Sequence, residues 1–280
     1  MKRLLSFILL SFLFLSVQGQ IGRYPFYRVT STTAVSYNAE YDTVLAAMAT
    51  DPTGDTLTWQ NEMIDSLVAF GFFARMDILH VYANTINTGG EALINWIDPG
   101  TNDAVEADSP TWTKRQGYKG NDANNGRVIV ANLTDASITN YTQNSATIGI
   151  YNRLDHASDA NYEVYGYNTN YIVMRFKSSD LARLRLNSTA YLDVANTDAK
   201  GFYVGTRRGA SEVEFYRNGS PIGDNTDAST GIPNSTIDLL KNTPSEFAIY
   251  FVMDAVSDAE VVILNRIFER YMDHLGKGIQ

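Results

Sequence analysis

Glu212 and Glu214 stand two residues apart in "EVEFYRN" (212–218). On a β-strand that spacing puts both carboxylates on one face, roughly 6.5–7 Å apart along the chain. Paired carboxylates hydrolyse glycosides: a separation of about 5–5.5 Å suits retention and about 6.5–9.5 Å inversion. The same pair beside Arg207, Arg208 and Arg217 is also what a solvated hairpin face looks like. Aromatic rings offer a second chemistry. "NYEVYGYNTNYI" (161–172) crowds Tyr162, Tyr165, Tyr167 and Tyr171 together, and Tyr203 and Tyr216 lie on a hairpin. A tyrosine presents a flat apolar face with a hydroxyl, suited to a sugar ring or a protein partner. Tyr165, Tyr167, Tyr203 and Tyr216 are therefore the candidate ligand contacts. Strand propensity and inter-sheet packing are the structural alternative for each.

Other chemistries find less support. The chain has no cysteine, which removes disulfides, thiolate metal sites and a Cys nucleophile. His80, His156 and His274 are scattered without the close spacing of a local metal motif, so each is expected to be satisfied or exposed. Acidic loops at 120–125, 154–161 and 223–230 supply oxygen atoms that could hold Ca2+, but none has EF-hand spacing. No resident cofactor is expected beyond that. "GTRRGAS" (205–211) lacks the strand-to-helix setting of a phosphate cradle, and there is no G-x-S-x-G elbow. The sequons at Asn132, Asn140, Asn187, Asn218 and Asn234 read as turns in a bacterial chain.

The N-terminus predicts export. Lys2 and Arg3 precede an apolar stretch from Leu4 to Val17, and Val17-Gln18-Gly19 fits a signal-peptidase site before Gln20. Loss of those two basic residues on cleavage would take the net charge from −9 to −11. Such a charge disfavours nucleic acid or an anionic membrane as partner. The expected location is secreted, periplasmic or cell-surface, or else a virion.

These side chains need elements to hold them. After a lead-in over 20–56, Asn38–Ala49 predicts a short helix with Asn38 as N-cap and Tyr41, Leu45 and Met48 on one face. A second helix is expected over 58–72, with Trp59, Met63, Leu67 and Phe70 as its apolar stripe. "DILHVYA" (77–83) predicts a buried strand. Strand-type segments then follow at 127–131, 146–152, 171–177, 181–186, 201–206, 212–218 and 247–253. In "YIVMRFK", Ile172, Met174 and Phe176 face one way and Arg175 and Lys177 the other; "LARLRL" alternates likewise. Asn218-Gly219 predicts a type I′ turn, and Pro221 restricts the return strand to an edge. A closing helix begins at a Ser257–Glu260 capping box, carries the stripe Val261, Leu264, Phe268, Tyr271, Leu275, and ends before Gly276. The fold class is all-β: an antiparallel sandwich or jelly roll over 57–280, with helices at both ends.

"VEFYRNGSPIG" (213–223) resembles the hairpin of laminin-G-like, concanavalin A-like jelly rolls, and "FAIYFVMDAVSDAEVVILNRIF" (247–268) resembles their closing strand and helix. "ALINWIDPGTNDA" (92–104), "PTWTKRQGYKGN" (110–121), "YTQNSATIGIYNR" (141–153) and "GFYVGTRRGAS" (201–211) are similar to a concanavalin A-like module of phage virion and bacterial exported proteins. The resemblance implies a lectin, a glucanase or a structural spacer. The strand motif of the glucanases, E-x-D-x-x-E, is missing here. The expected function is therefore non-catalytic binding of a glycan or cell-surface polysaccharide. A virion structural or receptor-binding role stands second, and a glycoside hydrolase third.

Overall fold

The structure, a computed structural model, describes residues 36–121, 125–156 and 161–280. The expected signal segment and the cleavage site after Gly19 lie outside these residues. The compact unit runs from Tyr37 to Gln280 and includes the first helix.

Among the described residues three α-helices, α1 (Ala39–Ala47), α2 (Asp55–Ala69) and α3 (Asp258–His274), accompany two antiparallel sheets. Strands are numbered in chain order. The first sheet contains β1 (Met76–Val81), β3 (Thr111–Thr113), β4 (Gly117–Lys119), β6 (Ala146–Asn152), β11 (Gly201–Gly209), β12 (Glu212–Arg217), β13 (Ser220–Asn225) and β15 (Glu246–Met253). Its order is β13-β12-β11-β6-β15-β4-β3, and β1 also pairs with β15. The second sheet contains β2 (Val105–Ala107), β5 (Arg127–Asn132), β7 (Val164–Tyr167), β8 (Tyr171–Ser178), β9 (Leu181–Ser188), β10 (Leu192–Ala195) and β14 (Thr236–Leu239). Its order is β10-β9-β8-β7-β14-β5-β2. The protein is a β-sandwich with helices at both ends, as the alternation predicts.

Two apolar cores decide which surfaces stay open. One lies between the sheets, where Ile172, Met174 and Phe176 of β8 meet Ile148 and Ile150 of β6 and Val213 and Phe215 of β12. The other lies between the first sheet and the helices, joining Phe202, Val204 and Phe251 to Tyr41, Ile64, Leu67, Leu264 and Phe268. The first sheet is therefore covered on both sides. Every residue of β6 and β15 is buried, which is why "ATIGIYN" and "FAIYFVM" are nearly continuous apolar runs. Strands β5, β9 and β10 keep a buried-exposed alternation, because nothing among the described residues covers the second sheet's outer face.

Local expectations hold where the chain specifies its own geometry. Ser257 accepts from the Glu260 backbone N–H while the Glu260 carboxylate accepts from the Ser257 N–H at 2.7 Å. The whole predicted α3 stripe is buried, and Gly276 follows with φ +68°. Asn218 and Gly219 have φ of +54° and +76°, the backbone of a type I′ turn, and β13 is an edge strand. The α2 stripe needs a correction. Met63 and Leu67 are buried, but Phe70 is 56% exposed. Phe70 is the C-cap, past the last helical residue, so helical periodicity no longer sets its direction. Buried Gln60 shares that helix face instead, accepting from the Tyr41 hydroxyl at 2.6 Å and donating to Asn84 at 3.1 Å. Strands β2, β3, β4, β10 and β14 are only three or four residues long, too short to announce themselves by periodicity.

Candidate functional site

The open face of the second sheet gathers the tyrosines. In β7 the alternation turns Val164 and Gly166 inward and Tyr165 and Tyr167 outward. Gly166 gives room to the Ile237 side chain: a Cβ there would stand 2.2 Å from Ile237 Cδ1, which would have to shift. The sheet register places Tyr167 opposite Tyr171, and Val173 opposite both Tyr165 and Arg185. Val173 is only 1% exposed because these large neighbours close over it.

The rings form a continuous chain across the face. Tyr167 stacks on Tyr171 with centroids 4.5 Å apart, and Tyr162 lies nearly parallel to Tyr165 at 5.6 Å. Tyr165 and Tyr167 meet at 6.4 Å in a tilted arrangement. Tyr191, in the connection from β9 to β10, brings its hydroxyl 3.3 Å from that of Tyr162. Arginines interleave with the rings. The Arg185 guanidinium carbon is 3.3 Å from the Tyr191 centroid and 4.1 Å from that of Tyr171. Arg183 also lies over Tyr191 at 3.9 Å while its fork holds Asp193, with one of the two contacts at 2.6 Å. Arg175 sits 5.5 Å from the Tyr162 ring.

This setting has a measurable electrostatic consequence. Burial pushes the Tyr162 phenol up, but hydrogen bonds with Tyr191 and Arg183 and the charges of Arg175 and Arg183 outweigh it and leave the group lowered. Beside Tyr162 and Tyr165 opens a hollow of about 180 Å³, lined also by Asn161, Lys241 and Asn242. The large apolar side chains exposed on the described surface are Phe70, Val105, Tyr167, Leu181 and Tyr191, and all but Phe70 lie on this sheet or its connections. Rings beside polar donors can stack on one face of a sugar and hydrogen-bond its rim.

The residues just before β7 anchor the platform from inside. Glu163 is buried, accepts from the Phe176 N–H at 3.1 Å and lies 3.0 Å from His156 Nε2; burial raises its carboxyl. His274 stacks on Trp59, and His80 lies 3.2 Å from the Asn102 carbonyl oxygen. All three histidines thus have structural surroundings.

Two of the four candidate contacts must be corrected. Tyr203 is fully buried between the sheets, stacked on Phe176 at 4.1 Å, with its hydroxyl donating to the Asp198 carbonyl at 3.0 Å. Tyr216 is 1% exposed beneath α3; its hydroxyl donates into the Glu214–Asp258 carboxylate pair and accepts from Arg208 at 2.8 Å. Both are core residues that no ligand can stack on. Tyr165 and Tyr167 are brought together on the open face, with Tyr167 47% exposed. Tyr162 and Tyr171, noticed in the same segment, join them. Tyr191 and the arginines were missed as site residues, although the Arg-Leu alternation of β9 already aimed Arg183 and Arg185 away from the core.

Glu214 pairs with Arg208 at 2.7 Å, and Glu212 lies 3.8 Å from the same guanidinium. Arg208 also pairs with Asp258 at 2.7 Å, which ties the hairpin to the start of α3. Among the described residues no group of three or more His, Cys, Asp or Glu side chains is placed to hold a metal. The acidic loops at 120–125 and 154–161 fall partly outside those residues. A groove of about 200 Å³ between α2 and α3, lined by Trp59, Met63, Phe70 and Ile267, belongs to the helical layer, away from the tyrosines.

No protein-family model matches the chain, and no curated protein matches it. Among solved structures, the receptor binding domain of botulinum neurotoxin C/D mosaic serotype aligns with a TM-score of 0.52 at 11% identity, over 69% of this chain and 51% of that one. The binding domain of Paraclostridial Mosquitocidal Protein 1 aligns at 0.49 with 15% identity, over 69% and 52%. Domain 4 of AbnA, a GH43 extracellular arabinanase from Geobacillus stearothermophilus in complex with arabinotriose, aligns at 0.45 with 14% identity, over 68% and 98%. The chain thus spans about half the length of the two toxin domains it matches. At such identities the likeness is one of fold, the β-sandwich.

Proposed function

We propose that this chain is an exported, non-catalytic carbohydrate-binding module of the concanavalin A-like, laminin-G-like type. A glycan lies across Tyr165, Tyr167 and Tyr171 on the second sheet. The observation that carries this reading is the uncovered row of stacked tyrosines on the open face of the sandwich. Aromatic platforms of that kind hold sugars through the apolar face of the ring, and the hydroxyls with Asn161 and Lys241 supply polar contacts at the rim. The fold leaves lectin and hydrolase roles open in general. Here Glu212 and Glu214 share Arg208 at the base of α3, and the tyrosines lie on the other sheet.

A glycan array with the mature chain tests the reading directly. Tyr165→Ala and Tyr167→Ala should each lower affinity for the captured glycan while the melting temperature stays close to that of the parent. Failure of every glycan to bind, or unchanged affinity in both variants, would sink it. The double variant Glu212→Gln/Glu214→Gln should bind nearly as the parent does. If the parent releases reducing sugar from a β-glucan and the double variant does not, the chain is a hydrolase.

A further inference from the structure

Arg185 differs from most arginines of the chain, and from Arg207, whose guanidinium donates to backbone carbonyls. Arg75, Arg127, Arg153, Arg208 and Arg217 each pair with a carboxylate, and on its own strand Arg183 pairs with Asp193. Arg185 has no carboxylate partner among the described residues, and its enclosed Nε has no hydrogen-bond partner. It is nonetheless half-buried, in a chain whose net charge is −9. A desolvated cation without an anion is costly, and stacking on tyrosine offsets only part of that cost.

The same stacking fixes where the charge points. Tyr171 and Tyr191 lie within 4.1 Å and 3.3 Å of the guanidinium carbon, so the planar fork is held in place before any ligand arrives. A pre-set fork matches a carboxylate in bidentate fashion, which a mobile ammonium cannot do. Tyr171 also stacks on Tyr167, so the apolar platform begins where the guanidinium ends. The two features together call for a ligand with a ring face and an anionic group at its edge.

We propose that the glycan is acidic: a pyranose whose carboxylate pairs with Arg185 while its ring covers Tyr171 and Tyr167. This deepens the glycan-binding reading and rests on it. A hexuronate and a sialate share that chemistry. A polyphosphate chain would need several free cations in a row, whereas Arg183 and Lys177 are already paired with Asp193 and Asp155.

The test is calorimetric titration of the mature chain with trigalacturonate, its methyl ester, sialyllactose and lactose. The acidic sugars should bind at least about tenfold tighter than their neutral counterparts, as a charge-assisted bidentate pair demands. Arg185→Gln should erase that difference, so that each acidic sugar binds no more tightly than its neutral counterpart. Arg185→Lys should recover only part of it, because it keeps the charge and loses the fork. Raising salt from about 50 to about 300 mM should weaken acidic binding alone. The galacturonate and sialate arms identify which acid is the source. Should Arg185→Gln fail to fold, the parent's preference, its salt dependence and Arg185→Lys carry the test. Equal binding of acidic and neutral sugars by the parent overturns the acid preference while leaving glycan binding intact. So does a difference that survives Arg185→Gln, or a single-stranded oligonucleotide that binds as tightly as the acidic sugars. Absence of binding to every sugar overturns the parent reading and this one together.

Discussion

Tyr167 and Tyr203 show how one residue type serves opposite ends at the residue scale. Tyr167 is 47% exposed on β7, whereas Tyr203 is enclosed against Phe176 and Phe215. Tyr167→Ala should therefore cost affinity, about three- to tenfold for one lost ring contact, with a nearly unchanged melting curve. Tyr203→Ala should leave a cavity and cost roughly 3–5 kcal/mol of stability, read from chemical denaturation. His80 gives a pH signature. Burial lowers its pKa to about 4, so the imidazole folds neutral. Above about pH 6.5 it is neutral in both states, and its contribution is complete. As pH falls from about 6.5 to about 4, only the unfolded chain takes up the proton, and up to ~3 kcal/mol of stability drains away. His80→Gln should flatten that part of the stability-pH curve. An unchanged slope between pH 7 and 4.5 in the variant would show that other groups set it.

At the scale of elements, the hairpin β12–β13 and helix α3 work as one unit. Gly219 holds φ at +76°, and a Cβ there would stand 3.5 Å from Asn265, an ordinary contact. The cost of Gly219→Val thus comes from backbone strain and not from a clash, on the order of 1–3 kcal/mol. Glycan affinity should not change, since the hairpin belongs to the first sheet and the tyrosines to the second. A variant with full stability would show that the turn relaxes to another type. The alternation of β12 correctly put Glu212, Glu214 and Tyr216 on one face, with Val213 and Phe215 on the other. It could not show that α3 lies over the first of these faces. Tyr216 was therefore legible as outward from the sheet and illegible as buried.

At the scale of the molecule, the helices close one side of the sandwich and leave the other uncovered among the described residues. Stacking and hydrogen bonding need no metal, so chelation with EDTA should leave glycan affinity unchanged; a marked drop would restore calcium to the acidic loops. Export should remove the segment through Gly19, which N-terminal sequencing of the exported protein would show as a chain starting at Gln20. A chain still beginning at Met1 would instead be anchored.

Much of the fold was written locally. Strand alternation, the Asn218-Gly219 turn and the Ser257–Glu260 cap each depend on residues a few positions apart, whose steric and hydrogen-bonding preferences act before any distant contact forms. The continuous apolar runs of β6 and β15 even recorded that both faces of the first sheet are covered. The site was only half legible. Tyr165 and Tyr167 shared a face by parity alone, but the choice between platform and core, and the gathering of Tyr191, Arg183 and Arg185 around them, came from strand order and from where the helices dock. Parity along a strand assigns a side chain to one of two faces. Which of those faces meets water is fixed by what packs on it from elsewhere in the chain, and only the tertiary structure contains that.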